Sequence, residues 1–142
     1  MLHRTLAAAL ALAAIVLPAR HAAAQDSGYP AVPLLSTATT VVGEPLRYPT
    51  AGAAKVTAAI VTVAPGETTI VHRHGVPMFA YVLSGELTVD YGEHGKRTYR
   101  QGQALMEAMD VAHDGFNSGS EPARILAVYM GADGAENVIP VK

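Results

Sequence analysis

His72, His74 and His113 are the side chains of this sequence best placed to do chemistry. Imidazole is the commonest protein ligand for a transition metal. In the run His72-Arg73-His74 the two rings are two residues apart, and in a strand that spacing puts both on one face. Ile70 shares that face, while Val71 and Arg73 share the other. The long charged Arg73 belongs outside, which turns both histidines inward. His113 lies about forty residues on, in a second strand-like run, 111–117, with Val111, Gly115 and Asn117 on its parity. With His113 also inward, the three rings meet across the sheets as a facial set of nitrogen donors with open positions. The expected cofactor is one divalent transition-metal ion, with Fe, Zn, Ni and Cu as candidates. A buried trio without an ion would need partners for every ring nitrogen. His94 stands apart, because the glycine-flanked tip Gly92-Glu93-His94-Gly95 is expected to be exposed.

Strands must carry these rings. Short runs rich in Val, Ile, Thr and Tyr recur after Thr37, separated by Gly and Pro. They predict strands near 38–42, 55–63, 68–74, 78–84, 86–91, 96–100, 103–108, 111–117 and 123–130. Ser84-Gly85 reads as a two-residue hairpin turn, and residues 92–95 as a second hairpin tip. No sustained helical period appears after residue 25. Many short strands at regular spacing give an all-β fold, a jelly-roll β-barrel in one domain. Several runs, such as 56–61, are apolar on both parities, as in packed sheets or an oligomer contact. Lys96, Arg97 and Arg100 read as a charged strand edge that discourages edge pairing.

The first residues do not belong to that fold. Met1-Leu2-His3-Arg4 is basic, Leu6 to Leu17 is apolar, and Ala22-Ala23-Ala24 offers small residues to a signal peptidase. Residues 1–24 are therefore expected to be a cleaved signal peptide, 25–36 a Pro- and Gly-containing tether, and 37–142 the folded domain. The expected location is periplasmic or secreted. Loss of residues 1–24 removes Arg4 and Arg20 and no acid, which takes the formal charge from −2 to about −4. An acidic domain lacks the basic surface that nucleic acid requires, and no membrane association is expected after cleavage. The chain has no cysteine, so disulfides, thiolate zinc sites and cysteine nucleophiles are excluded. No Ser/His/Asp set, phosphate loop or dinucleotide fingerprint is present.

The histidine frame resembles the cupin superfamily. Its first motif is Gly, five residues, His-x-His, three or four residues, an acidic residue, six residues and Gly; here Gly66, His72, His74 and Gly85 fall in register. Its second motif is Gly, five residues, Pro-x-Gly, two residues, His, three residues and Asn. Gly102, His113 and Asn117 match it, with Ala108 and Asp110 at the Pro and Gly positions. The resemblance covers roughly residues 38–130 and implies a single-domain jelly-roll barrel, commonly a homodimer. The acidic position of the first motif is Met78, so one oxygen ligand and one negative charge are missing. This disfavours manganese-type oxalate chemistry, because that metal prefers oxygen donors. Three-histidine iron cupins keep a metal site plausible for this set.

Two residues are candidates to replace the missing group. Glu107, six residues before His113, is a ligand or base if its side chain turns inward, and otherwise a solvated strand-end acid. Met78 offers a thioether to copper, or simply fills core. Asn117 is expected to brace the loop after His113. Met78, Ala80 and Val82 are expected to line the cavity, with Ile70 and Val111, and Phe116 to pack away from it. Two functions follow from this reading. One is an enzyme, a metal-dependent dioxygenase, isomerase or lyase acting on a small organic molecule. The other is a non-catalytic metal or small-ligand binding or sensor module. The likeness leaves the choice open, because fold does not select chemistry.

Overall fold

The computed structural model describes Gly28 and residues 30–142. The expected signal peptide, 1–24, and the first residues of the tether lie outside the described residues. Pro33–Lys142 forms one compact unit. Residues 30–36 are exposed and carry no strand.

Nine strands follow: β1 (Ala54–Val63), β2 (His72–Arg73), β3 (Met78–Ser84), β4 (Glu86–Asp90), β5 (Lys96–Arg100), β6 (Ala104–Met106), β7 (Asp114–Phe116), β8 (Ala123–Ala132) and β9 (Ile139–Pro140). One antiparallel sheet runs β1-β8-β3-β6. A second runs β5-β4-β7 and a short pair joins β2 to β9. Single bridges Thr68↔Phe116 and His72↔His113 stitch the segment before and through β2 onto the second sheet. The result is a jelly roll of two facing sheets, all β among the described residues apart from a one-turn 3-10 segment at Gly92–His94. The sheets pack face to face and no ladder closes them into a hydrogen-bonded barrel among the described residues.

The core follows from the strand alternation. In β3, Met78, Ala80 and Val82 are buried while Phe79 and Tyr81 are half-buried on the other face. In β8, Ala123, Ile125, Ala127 and Tyr129 alternate inward in the same way. Leu87 of β4 and Tyr99 of β5 pack onto this layer from the opposite sheet. Burying such side chains contributes roughly 1.5–3 kcal/mol each for the larger aliphatics.

Residues 38–42 form no strand; Thr39 makes one bridge to Pro45 around a tight turn. The run 68–74 is a strand only at His72–Arg73, and 111–117 only at Asp114–Phe116. Ser84-Gly85 is no hairpin turn, because β3 and β4 belong to different sheets. Gly85 instead carries the chain across at φ 72°. A Cβ there would stand 2.8 Å from the Pro122 carbonyl oxygen, so only glycine fits. The tip at 92–95 does join β4 to β5, and His94 is exposed. Strand β9 is an addition that a two-residue element ending in proline does not announce.

Candidate metal centre

The trio is assembled by backbone pairing. His72 N–H donates to the His113 carbonyl at 2.9 Å and His113 N–H returns to the His72 carbonyl at 3.0 Å. The two residues are therefore neighbours on adjacent segments of one sheet, where the sequence suggested a meeting across two sheets. His74 N–H donates to the Met109 carbonyl at 3.1 Å, which docks the third ring beside the loop that leads to His113. The ring centroids lie 4.6–5.1 Å apart. One ligand atom from each ring falls within 4.8 Å of the others.

Each Nδ1 meets a main-chain carbonyl: His72 that of Ile70 at 2.8 Å, His74 that of Asn137 at 2.9 Å, His113 that of Val111 at 2.9 Å. A carbonyl only accepts, so each Nδ1 must carry the hydrogen. That fixes one tautomer and leaves every Nε2 with a free lone pair, the arrangement that orients imidazole ligands in metal sites. The Nε2 atoms of His74 and His113 are buried with no hydrogen-bond partner. An orphaned buried acceptor is costly, and two facing one point fit a cation. Burial holds the His74 ring down at about 4, helped by the neighbouring His113 and His72 and opposed by the Asn137 carbonyl. Burial also lowers His72. Both rings are neutral at neutral pH, the state a ligand needs. The three histidines fit one transition-metal ion through nitrogen alone.

A cavity of about 90 Å³ opens beside them. One water needs roughly 10–15 Å³ by this measure, so the space suits several waters or one small organic molecule. Met78, Ala80, Val82, Leu105 and Ile125 make its wall apolar. The expected Met78 face does line it. Ile70 and Val111 do not: Ile70 is 61% exposed, because the chain before His72 is not regular strand and the alternation breaks. Arg73 points to solvent as expected. Phe116 stays out of the cavity and is 41% exposed, so it packs less than expected.

Glu107 turns inward. It is 5% exposed and lines the cavity with the histidines, although it stands outside the group of converging ligand atoms. Its Oε1 accepts from the Tyr91 hydroxyl at 2.7 Å and from the Ala108 N–H at 2.8 Å. Burial, then the Glu107 charge, push Tyr91 far up, so this phenol stays a donor. The Tyr91 and Tyr99 hydroxyls lie 3.3 Å apart, and Tyr99 also borders the cavity. Neither tyrosine stood out in the sequence, where both read as strand residues. Asn117 braces its loop as expected: Nδ2 donates to the Val63 and Glu121 carbonyls at 2.8 Å, and Oδ1 accepts from Gly119 N–H at 2.9 Å.

The sequence model of the cupin-domain family matches residues 59–129, half of the chain. The chain belongs to the cupin family. No functionally curated protein matches it. Among solved structures, the Lactobacillus farciminis oxalate decarboxylase formate complex is 24% identical at a TM-score of 0.51, covering 61% of this chain and 26% of that one. An uncharacterized Klebsiella pneumoniae protein with a double-stranded β-helix domain is 22% identical at 0.52, covering 61% and 71%. This cupin thus spans about a quarter of the decarboxylase, and the likeness is one of fold.

Proposed function

We propose that this cupin holds one divalent transition-metal ion, Fe, Zn, Ni or Cu, on Nε2 of His72, His74 and His113, and acts on a small organic molecule as a dioxygenase, isomerase or lyase. The observation that carries the reading is the pair of buried, partnerless Nε2 atoms beside a small apolar cavity. When bound, such an ion supplies Lewis acidity. The chain's own residues do the rest. Met78, Ala80 and Val82 exclude water from the cavity wall. Glu107 takes both of its hydrogen bonds on Oε1, which leaves Oε2 as the atom to accept a proton from a bound molecule. Tyr91 holds that carboxylate in place.

A second reading, a non-catalytic metal or small-ligand binding or sensor module, draws on Met78, which stands where cupins of the acidic pattern offer a carboxylate. We also propose export, from the features of residues 1–24, and a homodimer. The dimer reading is supported by β1, an outer strand whose Val56 and Ile60 are 67% and 48% exposed. Light scattering on the purified domain tests it.

The function is tested by loading metal-free protein anaerobically with each ion. Oxygen uptake and product formation are then followed on a panel of small carboxylic acids and diketones. Turnover that falls roughly 10²–10⁴-fold in Glu107→Gln supports the enzyme. Stoichiometric tight metal with no turnover across the panel supports the binding module.

A further inference from the structure

Glu44 sits in a tight turn ahead of β1, where Thr40 N–H donates to the Glu44 carbonyl at 2.8 Å and Gly43 N–H to that of Thr40 at 3.0 Å. Its carboxylate reaches far along the chain. Oε2 accepts from Met109 N–H at 2.8 Å and from the Thr40 hydroxyl at 3.0 Å; Oε1 accepts from Asp110 N–H at 2.8 Å and Val111 N–H at 3.0 Å. Three successive amides of a loop with no ladder partner thus converge on one carboxylate. Charge-assisted bonds of this kind are about twice as strong as neutral ones. Burial alone would raise the acid, yet the amides of Met109, Asp110 and Val111 and the Thr40 hydroxyl together hold it below the usual carboxylate range.

The opposite side of the same loop holds the backbone of one histidine and the ring of another. The Met109 carbonyl accepts His74 N–H at 3.1 Å, and the Val111 carbonyl accepts His113 Nδ1–H at 2.9 Å. Met109 C=O and Asp110 N–H belong to one planar peptide, so that plane is gripped by Glu44 on one edge and by His74 on the other. Arg47, just beyond the turn, pairs with the Asp110 side chain and adds a second tie to the loop.

We infer that Glu44 is a positioning residue for the metal centre, anchoring the His74 backbone and orienting the His113 ring through the loop 109–111. Its effect on metal affinity rests on the metal reading proposed above; its effect on the imidazoles does not. In Glu44→Gln one oxygen becomes an NH2 group, which faces an amide N–H and cannot accept from it.

The test uses the full domain, metal-free and ¹⁵N-labelled, in long-range imidazole correlation spectra, with a Co(II) titration alongside. His113 of the natural protein is expected as a single Nδ1–H tautomer. In Glu44→Gln the tautomers mix and the Nδ1–H exchanges roughly tenfold faster, the effect of losing one charge-assisted bond. Co(II) affinity falls roughly 10–100-fold. A folded Glu44→Gln protein with unchanged tautomer and unchanged affinity overturns the inference, whatever its melting temperature, because a merely structural residue lowers stability alone. Should that variant not fold, Thr40→Val decides: removing one donor to Oε2 is expected to shift the same spectra less far, and unchanged spectra overturn the inference. If the natural protein binds no Co(II), the metal reading falls while the imidazole spectra still decide the role of Glu44.

Discussion

His72 and His113 form a reciprocal backbone pair, each N–H donating to the other's carbonyl at 2.9 and 3.0 Å, with ring centroids 4.6 Å apart. Two candidate ligands from distant motifs are thereby fixed by main-chain bonds that do not depend on their side chains. The expected consequence is that His72→Ala and His113→Ala proteins keep the fold, because the ladder survives, and lose the site. Amide spectra that retain native dispersion in both variants would bear this out.

Acidification should destabilise the metal-free domain through His74. Its ordinary value is 6.5 and the folded ring is held at about 4, so the unfolded chain takes up the proton first. Stability is then full above about pH 6.5 and declines as pH falls through the interval from 6.5 to 4. Urea midpoints measured across that range should fall steadily. In His74→Phe the part of the decline in this interval that belongs to the ring should disappear.

Glu107→Gln should leave the metal centre intact. The remaining carbonyl oxygen can accept from both Tyr91 and Ala108, and Glu107 is not among the converging ligand atoms. Metal affinity is expected within a few-fold of the natural value. Glu107→Ala removes the main acceptor of a buried phenol and should cost about 1–3 kcal/mol in urea unfolding. A large loss of affinity in Glu107→Gln would make Glu107 a ligand.

Gly85→Ala should be among the more damaging single-methyl substitutions. The backbone is at φ 72° and the added Cβ would meet the Pro122 carbonyl at 2.8 Å. A cost of at least ~1–3 kcal/mol is expected from the conformation alone, read as a lowered melting temperature with metal affinity little changed at 25 °C.

Much of this was legible in the sequence, for reasons that can be named. The two-residue spacing of His72 and His74 puts both side chains on one face, and Arg73 settles which way the pair turns. The alternation in β3 and β8 is long and clean, so the cavity wall of Met78, Ala80 and Val82 could be assigned from it. Other features escaped. Ile70 broke the pattern because the strand is only two residues long there. The Nδ1 partner of His74 is a carbonyl at Asn137, and a carbonyl leaves no mark on composition. Glu44 works through amides about 65 residues away, a relation with no local signature. Ser84-Gly85 has the residues of a hairpin, yet the same positive φ serves to carry the chain between sheets.

Three imidazoles are expected to hold one ion, and metal analysis of the purified protein tests this most directly. Mass spectrometry of the elements should find one transition-metal ion per chain in the natural protein and a stoichiometry near zero in folded His72→Ala, His74→Ala and His113→Ala. A natural protein that neither carries nor takes up a divalent ion, or histidine variants that keep a full complement, would contradict it.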